Sequence, residues 1–149
     1  MHKEPVFEWN EELGQAYCII TDAQGHTFIG MATCHPDDTD MVSRRTGEEI
    51  AFRRARMEQM RSIRDNIKIE LQALKQLYYS MNRSKNFDPK SYENKMLQRQ
   101  IRLKIFDLDT IKEMLTTERE NLTELIQEKD KFYKQIRAHR NKAKNIQET

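Results

Sequence analysis

The stretch QAYCIITDAQGHTFIGMAT, residues 15–33, decides how the rest of the chain can fold. It contains two runs rich in β-branched and aromatic residues, separated by Asp22-Ala23-Gln24-Gly25. A turn of this composition, with a glycine available for positive φ, is typical of a β-hairpin. A further strand is predicted around residues 6–9, which gives a small antiparallel sheet of three or four strands. A sheet of that size needs a helix or a partner on one face to be stable.

Beyond residue 43 the sequence has the pattern of long helices. Thr46 and Glu49 are spaced as a capping box, so the first helix is predicted to begin there. Asp88-Pro89 offers a side-chain cap and a residue preset for the first helical position, which predicts the start of a second helix. The first helix carries apolar residues at alternating spacings of four and three, interrupted by one arginine: Met57, Met60, Arg64, Ile67, Leu71, Leu74, Tyr78 and Met81. The second helix has a matching stripe: Ile101, Ile105, Leu108, Ile111, Leu115, Leu122, Leu125, Phe132 and Ile136.

These patterns predict an α+β fold, in which a small N-terminal antiparallel β-sheet is followed by a long antiparallel helical hairpin that resembles a coiled coil. Residues 1–42 supply the sheet and an elbow loop, residues 43–149 supply the hairpin, and together they are predicted to form one domain. In a hairpin each helix buries one stripe, so a homo-oligomer, a dimer or higher, is expected to cover the remaining apolar residues. These residues are Ile69, Leu77, Tyr79, Leu103, Phe106 and Ile126.

The elbow contains residue types that can bind metals or act as nucleophiles. Cys34, His35, Asp37, Asp38 and Asp40 lie there. Neighbouring side chains in an extended strand point to opposite faces, so the adjacent cysteine and histidine cannot share one ion or act as a nucleophile and its base. The sequence also lacks a glycine-rich phosphate loop. We therefore expect an elbow that does no chemistry, and a protein that is not an enzyme and needs no cofactor or metal.

No apolar run approaches the roughly 20 residues needed to cross a bilayer. The opening MHKEPVFEWNEE also lacks the basic-then-apolar order of a signal peptide. The two cysteines carry no disulfide-scaffold signal. These features predict a soluble intracellular protein with reduced thiols and no membrane partner.

Charge is unevenly distributed along the chain. Residues 1–42 hold eight acidic residues against Lys3 alone, whereas residues 43–149 hold 25 basic and 16 acidic residues. Seven arginines and no lysine lie between residues 44 and 64, and residues 131–147 contain six basic residues and no acid. In a hairpin these two segments should meet near the sheet. Guanidinium groups grip phosphates, and an aromatic ring can stack on a base, so a ligand pocket is predicted there. Its residues would be Arg53, Arg56, Phe132, Arg137 and Arg140, although a solvated basic face is the alternative.

The tip of the hairpin is a second candidate site. Asn82, Arg83, Phe87 and Tyr92 gather polar, cationic and aromatic groups within about ten residues. A tip loop also needs polar residues for solubility, so a structural role for this group remains open.

The block GMATCHPDDTD at residues 30–40, followed by GEEIAFRRA at residues 47–55, resembles the strand–loop–helix junction of small phage and bacterial domains with a double-stranded-RNA-binding-like arrangement. With the two long helices behind it, the chain resembles the phage-encoded anti-Thoeris proteins. Members of that family are sponges that bind a cyclic ADP-ribose-type immune signal, and some also bind cyclic oligonucleotides, without hydrolysing them. They work as homo-oligomers. The acidic segment at residues 1–14 departs from the pattern of the family.

The resemblance implies an anti-defence protein in the cytoplasm of an infected bacterial host. It would sequester a cyclic ADP-ribose isomer, a cyclic oligonucleotide or both, and so allow immune evasion. Two other functions remain open. One is a nucleic-acid-binding module, less favoured because of the acidic first 42 residues, and the other is a structural coiled-coil adaptor or assembly protein.

Overall fold

The structure of the protein, a computed structural model, describes residues 3–33, 41–84 and 88–147, with the backbone alone at 41–43. In these ranges three strands precede two helices. They are β1 (Val6–Asn10), β2 (Gln15–Thr21), β3 (Thr27–Thr33), α1 (Met41–Asn82) and α2 (Tyr92–Gln147). The α+β fold with a small antiparallel sheet and a helical hairpin is therefore confirmed.

The three strands form one antiparallel sheet in the order β1-β2-β3. β1 is the further strand predicted from the sequence. The turn between β2 and β3 is held by Asp22, whose Oδ1 accepts hydrogen bonds from the N–H groups of Gln24 and His26, each at 2.9 Å. Gly25 has φ of 88°, a conformation that favours glycine. The predicted hairpin and the reason for its glycine are both confirmed.

Small residues allow α1 to lie close against one face of the sheet. Ala16, Cys18 and Ala32 on the sheet are buried against Ala51 and Ala55 on α1. These two alanines are four residues apart, so they share one face of the helix. Gly47 precedes them by another four residues and is also buried. The packing that stabilises the sheet is therefore between short side chains, with Ile50, Met57 and Leu122 completing the cluster.

Helix α1 begins at Met41, five residues before the predicted start at Thr46. The Arg44 side chain explains part of the difference. Its Nε lies 3.4 Å from Glu48 Oε1, and its guanidinium lies 5.9 Å from the ring centroid of Trp9 on β1. A contact with the sheet therefore accompanies the extra turn of helix. The capping signal in the local sequence could not predict this contact.

Helix α2 begins at Tyr92, later than the predicted start at Asp88-Pro89. Ser91 is the capping residue, because its Oγ accepts a hydrogen bond from the Asn94 N–H at 3.3 Å. Asp88 instead holds the preceding turn, in which its Oδ1 accepts from the Lys90 N–H at 2.9 Å. Asp88 and Ser91 are both residue types that often cap helices. Because Asp88 holds the preceding turn, Ser91 is the residue that caps α2.

The apolar series predicted for α1 is buried or half-buried throughout. The stripe predicted for α2 needs two corrections, since Ile105 and Phe132 are 39% and 48% exposed. In the buried series of α2, residues next to Ile105 and Phe132 in the sequence take these positions and keep the four-and-three spacing. The residues of α2 that are buried to at least about nine-tenths are Asn94, Leu97, Ile111, Leu115, Glu118, Leu122 and Tyr133.

Contacts divide the chain into two compact units. Unit 1 is Met1–Glu58 together with Glu118–Thr149, and unit 2 is Gln59–Thr117. The division runs across both helices rather than at residue 42, and the interpretation as one domain stays a prediction. Unit 1 contains the cluster between sheet and helices, and unit 2 contains a separate cluster around Met60, Ile111 and Leu115.

Apolar residues outside these clusters are numerous. Of those expected to need covering, Ile69, Leu77, Tyr79, Leu103 and Phe106 are 52–68% exposed. Ile126 differs, because it packs against the cluster of unit 1. Over the part of the chain that the structure describes, neither helix has a segment apolar enough to span a bilayer.

Candidate ligand-binding site

Arg53 occupies a buried-stripe position on α1, where its charge is matched by two carboxylates. Its Nη1 lies 3.3 Å from Glu118 Oε1 on α2, and its Nη2 lies 3.6 Å from Glu49 Oε1 one turn earlier. The Glu118 side chain is only 11% exposed. A pair of this kind fixes the alignment of two helices, because a misaligned hairpin would leave a buried charge without a partner. Arg53 thus joins α1 to α2 by an ion pair within unit 1.

The predicted pocket residues do not all meet. Arg53 is level with Glu118, and Arg137 lies nineteen residues further along the same helix. At 1.5 Å per residue this is about 28 Å of helix. Arg56 is on α1 one turn beyond Arg53, exposed, with its guanidinium 5.8 Å from the ring centroid of Phe52. The structure therefore separates Arg53 and Arg56 from Arg137 and Arg140.

Arg137 and Arg140 do lie together, and they extend a pattern. The spacing that buries Leu122 and Tyr133 continues as Arg137, Arg140 and Lys144, at intervals of four, three and four residues. The side of α2 that is apolar up to Tyr133 therefore becomes cationic. We call Arg137, Arg140 and Lys144 the basic extension.

A hollow of about 580 Å³ lies against the basic extension, and Asn141 and Ala143 also line it. Sites for small ligands have volumes of roughly 300–1,000 Å³. Arginine, lysine and an amide supply hydrogen-bond donors, which suit phosphate oxygens and the carbonyl groups of a base. All the lining residues lie on α2, so the hollow is an open surface site whose donors suit an anionic nucleotide.

Aromatic groups lie one turn before the basic extension. Phe132 is 48% exposed and its ring meets that of Tyr133 edge-on, with centroids 5.4 Å apart. Tyr133 is 3% exposed, and its hydroxyl is buried without a hydrogen-bond partner among the described residues. A buried hydroxyl normally has a partner. Of the two adjacent rings, Phe132, the aromatic residue predicted for the pocket, is the exposed one, and Tyr133 occupies a buried position of the four-and-three series.

The residues predicted at the hairpin tip belong to unit 2. Asn82, the last residue of α1, and Arg83 are exposed, and Tyr92 is 77% exposed at the start of α2. Phe87 lies outside the described residues. Asn82, Arg83 and Tyr92 are therefore open to solvent.

Cys18 is a free, buried thiol on β2, as expected for a reduced cysteine in a core. Burial raises the pKa of this thiol, and the nearby Glu48 carboxylate raises it further. Cys34, His35 and the three aspartates of the elbow lie outside the described residues. Within residues 3–33, 41–84 and 88–147 no group of three or more potential metal ligands occurs.

The geometry of unit 1 therefore places a cationic hollow and two aromatic rings on the last turns of α2, apart from the ion pair that aligns the helices. Comparison with models of protein families, with curated proteins and with solved structures found no match for the chain.

Proposed function

We propose that the protein binds and sequesters an anionic cyclic nucleotide, either a cyclic ADP-ribose isomer or a cyclic oligonucleotide, and does not convert it chemically. The observation that carries the proposal is the hollow of about 580 Å³ at Arg137, Arg140 and Lys144. A cyclic nucleotide combines closely spaced phosphates with flat bases. The basic extension offers donors for the phosphates, and the exposed ring of Phe132 lies within one or two helical turns.

The resemblance of residues 30–55 to anti-Thoeris proteins supports the same ligand class. On this proposal the protein acts in the cytoplasm of an infected bacterial host, where it lowers the free concentration of an immune signal. Such an activity needs affinity and a sufficient number of protein copies, and it needs no catalytic group. Oligomers would increase the number of sites per particle.

The experiment is thermal unfolding of the purified protein with a panel of cyclic ADP-ribose isomers and cyclic di- and trinucleotides. A ligand that binds only the folded state raises Tm by mass action, by an amount that grows with ligand concentration. The ligand is then recovered after denaturation of the protein, and its mass is measured by mass spectrometry. A concentration-dependent rise in Tm with the ligand recovered intact is expected, and no rise with any member of the panel would refute the proposal.

Binding and assembly experiments on the same purified protein distinguish the proposed function from the two other functions. Binding to duplex DNA or RNA with an affinity that falls steeply with salt would indicate a nucleic-acid-binding module, because neutralised phosphates release counterions. Stable assembly without any nucleotide effect would indicate a structural coiled-coil protein.

A further inference from the structure

Strand β1 lies at an edge of the sheet, and among the described residues it pairs only with β2. In an antiparallel pair, the backbone groups of alternate residues point away from the partner strand. The other side of β1 therefore presents unpaired N–H and C=O groups, which are a template for a further strand. Val6, Phe7 and Glu8 are all exposed, so this edge is open to solvent.

The opposite edge of the sheet, at β3, is partly occupied. Arg54 of α1 donates a hydrogen bond from its Nη1 to the carbonyl oxygen of Met31, at 2.7 Å. Proteins protect sheet edges with lysine or proline on the strand, or by covering the edge with another element. The sequence of β1, VFEWN, contains neither lysine nor proline. A further strand can therefore be added at β1 with less obstruction than at β3.

The side of β1 that faces α1 is aromatic. Phe7 is paired with Cys18, so the two side chains share this side of the sheet. The ring centroid of Phe7 lies 6.4 Å from that of Phe52 on α1, yet Phe7 is 43% exposed. The guanidinium of Arg56 already lies 5.8 Å from the Phe52 ring centroid. An added strand would therefore fit best with apolar side chains here, which would cover Phe7 without bringing another cation.

The other side of β1 is acidic. Strand alternation places Glu8 there, Glu4 precedes the strand, and Glu11 and Glu12 follow it. All four glutamates are exposed, and none forms an ion pair within the described ranges. Residues 4–14 contain no lysine or arginine. Opposite charges across an interface favour the matching partner, so an added strand should be basic on this side.

We infer that the free edge of β1 binds an extended segment of another protein, in which basic and apolar residues alternate. Backbone hydrogen bonds to β1 would supply affinity, and the alternation of side chains would supply specificity. Lysine or arginine would meet Glu8 and its neighbours, while apolar side chains would cover Phe7. The contact uses no residue of the basic extension. The inference therefore goes beyond the proposed function, and either can fail without the other.

The chain itself does not offer a matching strand. Its basic segments, residues 44–64 and 131–147, lie in α1 and α2 and are helical. Pairing of β1 with β1 of a second copy would bring two sets of glutamates to one edge, and like charges oppose association. Charge therefore favours a segment of a different protein.

The experiment is a titration of the full chain with a synthetic peptide in which lysine and valine alternate. Trp9 is the only tryptophan of the chain and lies on β1, so its fluorescence reports on this edge without a label. The matched control peptide has the same composition, with its lysines and valines in two separate blocks. The alternating peptide is expected to bind about tenfold more tightly than the block peptide, because only its lysines all reach the acidic side.

Charge-reversed proteins locate the contact. Glu4→Lys with Glu8→Lys should weaken binding of the alternating peptide by about tenfold or more, because attraction becomes repulsion. Neutral replacement of both residues by glutamine should give a smaller loss. Asp109→Lys with Glu113→Lys makes the same change of charge at exposed positions of unit 2 and should bind like the parent chain. Circular dichroism confirms that every variant is folded.

Hydrogen exchange followed by NMR tests the backbone contact directly. The amides of β1 that do not pair with β2 should exchange rapidly in the free protein and more slowly with the alternating peptide. The inference is overturned if this peptide does not bind, binds no better than the block peptide, or loses affinity equally for both charge-reversed proteins. It is also overturned if those amides are unchanged by the peptide, or are already protected in the free protein by a second copy.

Discussion

Gly30 of β3 is in backbone contact with Ala51 of α1, so close that a Cβ on the glycine would overlap the Ala51 carbonyl group and the Ala55 amide nitrogen. Backbone atoms of a helix cannot move aside as a flexible side chain can. Even a methyl group therefore requires α1 to move off the sheet, and the buried contacts of Ala51 and Ala55 would weaken. We predict that Gly30→Ala lowers the free energy of unfolding by about 2–3 kcal/mol, as measured by urea denaturation.

Gly25→Ala is the matched control for this prediction. Gly25 has no atom within 4 Å of the position of an added Cβ, but its φ is 88°. The substitution therefore adds backbone strain without overlap and should cost about 1 kcal/mol. Equal losses for the two variants would mean that the close approach of sheet and helix is not what Gly30 provides.

The Arg53–Glu118 pair is predicted to set the alignment of α1 and α2 in unit 1. Glu118→Ala leaves a half-buried guanidinium without its partner on α2, and should reduce the free energy of unfolding by about 1–3 kcal/mol. Replacing both residues, as Arg53→Met with Glu118→Leu, should recover most of that loss because no buried charge remains. Urea denaturation of the parent chain, Arg53→Met, Glu118→Leu and the double variant completes a cycle that measures the coupling between the two residues.

The same doubly substituted protein tests the sequence-based assignment of Arg53 as a ligand residue. If Arg53 only aligns the helices, the apolar pair should bind a cyclic nucleotide as the parent chain does. If the variant has the stability of the parent chain but no longer binds the ligand, Arg53 would instead be a residue of the binding site. Calorimetric titration with the ligand found in the thermal screen distinguishes these results.

Periodicity explains which parts of the fold could be predicted. The α1 stripe from Met57 to Met81 is read correctly because its spacing repeats over many turns. The α2 stripe is ambiguous near its end, where Lys129 interrupts it. Beyond that point, the phase of the helix determines whether Phe132 or its neighbour Tyr133 lies on the buried side. Helix starts were misplaced for a different reason. Arg44 contacts Trp9, far away in the sequence, and Ser91 rather than Asp88 lies at the end of the turn.

The site was harder to predict than the fold. Arginine-rich composition identifies a basic segment, but it does not reveal which guanidinium groups have carboxylate partners. Arg53 and Glu118 are 65 residues apart, and only the folded hairpin brings them within 3.3 Å. Arg137 and Arg140 line the same hollow because both lie on one helix at a spacing of three.

Cys18 provides a prediction for alkaline pH. Its pKa is raised from 9.0 by burial and by Glu48, so the folded protein keeps the thiol protonated where the unfolded chain ionises. The unfolded state then binds fewer protons, and stability falls as pH rises from about 9 towards the folded pKa. The free energy of unfolding measured at pH 8 and pH 10 should therefore fall more for the parent chain than for Cys18→Ala.

Lysines and tyrosines also titrate in that range, but they do so in both proteins, so the difference between the two proteins isolates Cys18. Reaction of the native protein with a thiol reagent, followed by peptide mass spectrometry, gives a second readout. Cys18 should react only when the chain is unfolded, because the thiolate is the reactive form and the residue is buried. Rapid labelling of Cys18 in the native protein would contradict its assigned state.

Arg137→Ala with Arg140→Ala should weaken binding of the cyclic nucleotide by about a hundredfold, since each charge-assisted hydrogen bond contributes about 1.5–3 kcal/mol. Calorimetric titration measures the change. Arg99→Ala with Arg102→Ala removes the same charge from exposed positions of the same helix, in unit 2. That control should bind normally, and a similar loss in both proteins would point to net charge rather than to a site.

Tyr133→Phe separates packing from ligand binding at one atom. The Tyr133 ring is buried in unit 1 and its hydroxyl has no partner among the described residues, so removing the oxygen costs no hydrogen bond. The variant should be as stable as the parent chain or more stable by up to about 1 kcal/mol. If the hydroxyl donates to a nucleotide held at Arg137, one turn away, Tyr133→Phe should also weaken ligand binding by about tenfold. Greater stability with unchanged affinity would show that the hydroxyl is a cost to folding that the ligand does not use.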